Sequence, residues 1–242
     1  MTTRETTSYG QFCPIAMASE VLCRRWTTLV LREMLCGSTQ FNDLRRGLPR
    51  MSPALLSTRL RELTEAGLLE RRGTAGSTSY HMTAAGEALR PVIVGMGEWG
   101  HRWIESSASL ANLDPSLLMW DIRRNLRPEP MPARRAVVQF LFKGLPAGKG
   151  KWWLIVDAGE VDLCYSDPGH DVDLYIATDL RTMTAIWMGF TSIQGEIEAR
   201  RVFLEGDKRL AATVSQWLGY SPFATTDALT ATGAVTQSQR SR

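Results

Sequence analysis

Lysine is absent from the first 105 residues, cysteine is scarce, and no apolar run in the 242 residues approaches the roughly 18 that a membrane helix needs. Cys13, Cys23, Cys36 and Cys164 form no Cys-x-x-Cys, and His81, His101 and His170 are isolated, so neither a zinc site nor another metal site is expected. The cysteines are expected to be reduced thiols, as in a cytoplasmic protein. Gly-x-Ser-x-Gly, His-Glu-x-x-His, a phosphate loop and Gly-x-Gly-x-x-Gly are all missing, which leaves no enzyme class and no cofactor to propose. Asp171, Asp173 and Asp179 near His170 are the nearest approach to acid–base chemistry. Asp171 and Asp173 alternate with apolar residues, which is the pattern of a solvated strand face. The start, from Met1 to Gly10, lacks the charged-then-apolar pattern of a secretory signal, so a soluble, cytoplasmic protein with no membrane partner is expected.

A hydrophobic share of 44% against 22% charged excludes a wholly disordered chain, and the length admits one large domain or two small ones. The formal charge of +3 hides a division. Residues 1–105 hold 13 Arg against 10 acids, whereas residues 106–242 are balanced at 15 against 15. Within the first part, Arg24 to Arg72 carries ten Arg against five acids, a local +5. The planar guanidinium fork matches phosphate and the guanine edge, so this cluster fits nucleic acid. A genome rich in guanine and cytosine would also favour Arg codons, but that does not explain the clustering.

Punctuation and period give the first half its order. Pro14 opens a helix to Cys23, and Arg25–Leu35 places Trp26, Leu29, Val30 and Met34 at helical spacing before Gly37. A short helix from Phe41 ends at Gly47 and Pro49. Ser52-Pro53 caps the strongest helix, Pro53 to Ala66, whose Leu56, Leu60 and Leu63 share one face while Ala54, Ser57, Thr58 and Arg61 turn to the other. Leu68–Arg72 and Thr78–Met82 read as two strands about a glycine-containing tip, and Thr83 caps a helix from Ala84 to about Ser106, with Pro91 as a bend or break. Helix, helix, helix, wing and long helix is the order of a winged helix-turn-helix. Residues 52–66 are then the recognition helix for the major groove, with Ser52, Ala54, Ser57, Thr58 and Arg61 as its readers. The wing, 68–82, lies on the backbone or in a minor groove through Arg71, Arg72 and Ser77, and Arg45, Arg46 and Arg50 position the protein on phosphates.

Cys13-Pro14, Arg25-Trp26-Thr, Leu31-Arg32-Glu33, Phe41-Asn-Asp-Leu-Arg, Ser52-Pro-Ala-Leu-Leu-Ser-Thr-Arg-Leu-Arg-Glu-Leu, Ala66-Gly-Leu-Leu-Glu-Arg and Tyr80-His-Met-Thr-Ala-Ala-Gly together resemble the HxlR-type winged-helix transcriptional regulators, over about Cys13 to Trp103. The resemblance implies a homodimer on a roughly two-fold double-stranded operator, with the helices outside the wing as the dimer contact. Cys13 matches an amino-terminal cysteine that some members use as a redox sensor. With no basic neighbour in sequence, a structural cysteine is the other reading of Cys13.

The second half changes period. Asp114–Leu126 reads as a helix, and Arg127-Pro-Glu-Pro-Met-Pro132 as a stiff connector. Strands follow at Ala136–Phe142, Lys151–Asp157, Glu160–Tyr165 and Val172–Ala177. Helices are expected at Leu180–Met188 and Ile193–Ile197, then a strand at Arg201–Glu205 and a helix at Lys208–Leu218. This is a small α+β domain with a mostly antiparallel sheet. Asp173-Leu-Tyr-Ile-Ala-Thr-Asp179, Trp187-Met-Gly189 and Val202-Phe-Leu-Glu-Gly206-Asp207 resemble sterol carrier protein-like domains, which implies an apolar pocket for a small hydrophobic ligand. Trp153, Tyr165, Tyr175, Met183, Trp187, Phe190, Phe203 and Trp217 are the candidate lining, with plain core as the alternative.

The domains expected are a flexible terminus (1–12), a mainly α winged helix-turn-helix domain for DNA binding and dimerisation (13–106), a helical and Pro-rich connector (107–133), the sterol carrier-like α+β domain (134–220) and a disordered tail (221–242). The expected function is a homodimeric, sequence-specific DNA-binding regulator whose sheet domain senses a small hydrophobic ligand or strengthens the dimer. Two rivals stand beside it: a lipid carrier whose winged helix serves only dimerisation, and a thiol-switch regulator acting through Cys13.

Overall fold

Proline and glycine set the limits of the first helices. In the computed structural model, which describes residues 8–74 and 77–224 with backbone alone at 108 and 109, Pro14 stands in the first turn of α1 (Pro14–Leu22). Helices α2 (Thr27–Leu35), α3 (Phe41–Gly47) and α4 (Pro53–Glu65) follow. The Ser52 hydroxyl accepts the Leu55 N–H at 3.3 Å, capping α4 as its Ser-Pro start predicts. Strand β1 (Leu69–Arg72) pairs antiparallel with β2 (Ser79–Met82), register Arg71 to Tyr80. Ahead of α3, Gln40 bridges to Ser79 and the Thr39 carbonyl accepts the Tyr80 N–H at 2.8 Å, adding a third rung to the wing that periodicity did not show.

The expected long helix from Ala84 is interrupted. It is α5 (Ala84–Glu87), a turn at 88–89, and then α6 (Arg90–Trp103). Pro91 has no N–H to give to a preceding turn, so the helix restarts with the proline in its first turn. Helix α2 also starts later than expected. Trp26 is its N-cap at φ 78°, a left-handed conformation, with the Arg25 guanidinium 5.6 Å from the Trp26 ring centre. The phase of α2 therefore buries Val30, Leu31 and Met34 and leaves Leu29 exposed.

The chain divides into two compact units, Met1–Gly97 and Glu98–Arg242, so the boundary falls within α6. The first has its own core from Val30, Leu31, Leu44, Leu56, Leu60, Leu63 and Leu69. A buried charge locks α2 to α3 there. The Glu33 carboxylate is fully buried, paired with Arg32, and occupies the space where a Cβ on Gly47 would be. Arg32 also donates to the Gly47 carbonyl at 3.0 Å. Glycine is required at 47 because the carboxylate is already there.

The second unit contains α7 (Ser106–Ser109), α8 (Pro115–Asn125), β3 (Ala136–Lys143), β4 (Lys151–Asp157), β5 (Glu160–Cys164), β6 (Leu174–Asp179), α9 (Leu180–Trp187), α10 (Ile193–Glu198), β7 (Phe203–Gly206), α11 (Lys208–Ala212) and α12 (Val214–Trp217). Among the described residues its sheet has the order β5-β4-β3-β6-β7, with β3–β6 parallel and the other pairs antiparallel. It is a mixed, mostly antiparallel sheet in an α+β unit. The helix expected over 208–218 is split at Thr213 (φ −103°) into α11 and α12. One sheet face (Ala136, Val138, Phe140, Trp152, Leu154, Leu174, Ile176) packs with Met119, Ile122, Met183, Ile186 and Trp217 into a single core. The Trp217 indole donates to the Leu210 carbonyl at 2.9 Å, which satisfies its buried N–H.

Asp173 does not lie on a solvated face as its pattern suggested. Its carboxylate accepts the Val137 N–H at 2.8 Å and pairs with Arg134 at 2.8 Å, because β6 begins beside β3. At the expected flexible terminus, Ser8 and Tyr9 donate to Glu20 at 2.7 and 2.9 Å, while residues 1–7 lie outside the described residues. At the expected tail, the Ser221 N–H donates to Trp187 at 2.8 Å, and residues 225–242 lie outside the described residues.

Candidate nucleic-acid interface

The geometry starts from α4. Leu56, Leu60 and Leu63 bury one side of this helix, and that turns Ala54, Ser57 and Arg61 to the surface with Thr58 half-buried at their edge. Residues 54, 57, 58 and 61 are spaced three, four and seven apart, so they form one strip along the helix. The hydroxyls at the start and middle of the helix already have local work. Ser52 is the cap, and Thr58 donates to the Ala54 carbonyl at 3.0 Å. Arg61 leans toward Glu65 one turn on, at 3.6 Å and exposed, a weak tether that leaves the fork at the surface.

The ten arginines of the basic segment separate into two groups. Arg32 and Arg59 are structural. Arg59 pairs with Glu62 and donates to the Arg25 carbonyl at 3.0 Å, and Arg24 reaches Glu62 at 3.5 Å, so one acid binds two bases and ties α4 to the α1–α2 turn. Arg45 and Arg50 are exposed and form no ion pair among the described residues, whereas Arg46 pairs with Asp43 at 3.1 Å. On the wing, Arg71 donates to the Thr78 hydroxyl at 3.1 Å across the strands, and Arg72 pairs with Glu70. Ser77 is exposed where its N–H closes the turn onto Thr74 at 3.0 Å; Ala75 and Gly76 at the tip lie outside the described residues.

Sequence reasoning missed Glu62, Glu65, Glu70 and Thr78, the groups that hold these arginines. The spacing of Glu65 from Arg61 was a usable signal, and that of Thr78 appears only once the hairpin closes.

A second surface lies on α6. Val92, Met96, Trp99 and Trp103 are all exposed, the two tryptophans by 61% and 66%, and their spacing places them on one stripe. Before and on α1, Phe12, Ile15 and Met17 are exposed as well. Cys13 is the half-buried N-cap residue of α1, and its side chain caps no N–H.

The eight aromatic and methionine residues expected to line a ligand pocket do not come together. Met183, Trp187 and Trp217 are in the core of the second unit. Trp153, Tyr175 and Phe203 belong to the opposite face of the sheet, with Tyr175 and Phe203 exposed, and Tyr165 is exposed beyond β5. Phe190 is half-buried and stacks on His101 with ring centres 5.5 Å apart. Strand alternation sends neighbouring large residues to opposite sides of a sheet, which a count of aromatics does not register.

Against known proteins, a family model described as HxlR-like helix-turn-helix matches residues 21–108. The HTH-type transcriptional regulator YvaP of Bacillus subtilis is 33% identical over 102 residues, 40% of this chain and 94% of that protein. The HTH-type transcriptional regulator Rv3095 of Mycobacterium tuberculosis is 32% identical over 142 residues, 50% of this chain and 88% of its own length. Among solved structures, the redox regulator HypR in its reduced form is 27% identical over 40% of this chain and 99% of that one, with a TM-score of 0.37.

Proposed function

Since the chain belongs to the HxlR-like helix-turn-helix family of transcriptional regulators, we propose that it acts as a homodimeric, sequence-specific DNA-binding regulator and not as an enzyme. The observation that carries this reading is the strip of exposed Ala54, Ser57 and Arg61, with Thr58 at its edge, on a capped helix that is preceded in the chain by the exposed Arg45 and Arg50 and followed by a wing bearing Arg71 and Arg72. In this reading α4 enters the major groove, where short side chains let the backbone approach and Arg61 addresses a base edge. The other arginines contact phosphate and set the register without selecting sequence.

The α6 stripe supports the dimer. Four large apolar residues on one exposed helix face are unfavourable in water and mark an interaction surface. A second copy meeting the first through α6 covers that stripe and presents two recognition helices to a two-fold operator. For the second unit we retain the sterol carrier-like reading, supported by the order of its strands and helices. The packing of Met183, Trp187 and Trp217 into its core supports a scaffold or dimer-strengthening role over a ligand tunnel through those residues.

Binding of the purified chain to the DNA upstream of its own coding sequence, followed by fluorescence anisotropy against salt, tests the proposal. Log affinity is expected to fall linearly with log salt, and Arg71→Ala with Arg72→Ala to reduce that slope by about one unit per arginine, about equally on specific and random DNA. No salt-dependent binding to any duplex would leave the family fold without the function proposed here.

A further inference from the structure

Between α1 and the recognition helix lies a cleft that base reading by α4 does not use. It measures about 340 Å³ up to its open mouth, within the size range of small-molecule sites. Val21 of α1, Arg24 of the turn that follows, and Arg59, Glu62, Leu63 and Ala66 from α4 and its C-cap contribute to its lining. The four α4 positions recur at spacings of three and four, on a different side of the helix from Ala54, Ser57 and Arg61. The α1 side is the adjustable one. No residue of α1 is fully buried, and the turn after it holds Trp26 at φ 78°, a left-handed conformation that is strained for a bulky side chain. Such strain collects at ligand clamps and switches.

The charges around the cleft are unequally committed. Arg59 pairs with Glu62 and donates to the Arg25 carbonyl at 3.0 Å, which pins the strained turn to α4. Glu20, also in the lining, accepts the Ser8 hydroxyl at 2.7 Å and the Tyr9 N–H at 2.9 Å. Arg24 is the loose member. It donates to the Glu20 carbonyl at 3.1 Å, but it stands 3.5 Å from Glu62, farther than a charge-assisted hydrogen bond, and 45% of its side chain is exposed.

We propose that this cleft binds a small organic monocarboxylate with an apolar body. The ligand carboxylate takes the Arg24 guanidinium from Glu62, and the body lies against Val21, Leu63 and Ala66. One loosely paired guanidinium matches one anionic group. Glu20 and Glu62 beside it repel the second charge of a phosphate or a dicarboxylate. An ammonium ligand fits less well, because both carboxylates already hold donors and Arg24 stands among them. The site itself does not depend on DNA binding. Its effect on an operator rests on that reading: α4 lines the cleft on one side and bears the reading strip on another, so a ligand that favours one seating of α1 on α4 shifts operator affinity.

Calorimetric titration of the full chain without DNA, at low salt, tests the site, with hexanoate and phenylacetate as probes and hexanamide and hexylamine as controls. At least one carboxylate is expected to bind with a dissociation constant of about 1 mM or tighter, and the amide and amine about tenfold more weakly. Arg24→Gln should weaken carboxylate binding about tenfold, whereas Glu62→Gln, which removes the competitor for Arg24, should tighten it. Ala66→Leu narrows the cleft without touching an ion pair and should also weaken binding, which keeps the test independent of how the charge variants fold. Binding of neither carboxylate, equal binding of the amide, preference for the amine, or an affinity unchanged by both Arg24→Gln and Ala66→Leu overturns the proposal. Operator affinity with and without saturating probe, read by anisotropy, is expected to differ by about fivefold or more. A probe that binds and leaves operator affinity unchanged overturns the coupling alone, and a chain that binds the probe but no duplex overturns the DNA-binding reading and not the site.

Discussion

Arg61 and Gly47 show how differently two single residues in the same unit act. Arg61 is exposed and tethered only to an exposed Glu65 at 3.6 Å, so little of the fold depends on it. Arg61→Ala is expected to leave the melting temperature within a degree or two and to weaken operator binding by about 1–3 kcal/mol, with relaxed sequence preference at one base pair. Competition anisotropy with single-base operator variants measures both. Gly47 is the reverse case. It faces no solvent and touches no DNA in the proposed mode, yet a Cβ there would overlap the buried Glu33 carboxylate. That carboxylate is held by Arg32 and has no wet side to move toward. Gly47→Ala should therefore destabilise the chain by about 1–3 kcal/mol in denaturant melts, the cost typical of overpacking, and affect DNA binding only through folding. Arg61 could be named from helical phase alone. Glu33 could not be told from a surface acid in sequence, because its burial depends on α3 closing over it.

Elements were legible where local chemistry decides their ends. Ser52 before Pro53, Thr83 before α5, Asp114 before α8 and Asp179 before α9 all accept a backbone N–H from the first turn. These caps depend only on residues two or three apart. The sequence reading ran on too long at Lys208–Leu218, where the interruption falls at Thr213 and periodicity alone carries straight through it, whereas the break that Pro91 signalled after Ala84 is there between α5 and α6. Element ends also set the acid sensitivity of the second unit. Burial pushes the Asp179 carboxyl upward, but the N–H and hydroxyl of Thr182 and neighbouring N–H groups hold it below the usual range. Hydrogen bonding from Arg201 lowers Glu196, and the N–H groups of Leu210 and Arg209 lower Asp207. A carboxylate whose folded pKa lies below its unfolded value adds stability above the unfolded pKa, about 4, and loses it as pH falls through the folded one. Stability from these three groups should thus be level between pH 7 and 5 and decline below about pH 4. Asp179→Ala should cost about 1 kcal/mol at neutral pH and make the acid decline shallower, as followed by circular dichroism.

On the scale of the whole chain, the separate cores of the two units and the apolar stripe on α6 matter most. Trp99→Glu with Trp103→Glu places charge in the proposed α6 contact and should reduce operator affinity at least tenfold, because each half-site is then bound without the other. Anisotropy at fixed protein concentration reads this, and undiminished affinity would dissociate the stripe from DNA binding. The sequence by itself determined the helical and strand periods, the caps, the clustering of arginine before Arg72 and the motifs of the winged helix, because these follow from neighbours and from spacing along one element. Only the tertiary structure decided which arginines remain at the surface, since Arg24 meets Glu62, Arg32 meets the Gly47 carbonyl and Arg59 meets the Arg25 carbonyl only once α1 to α4 have folded together. It also decided which aromatics are core. A strand's alternation tells which residues share a face, but which face is covered depends on where distant helices pack.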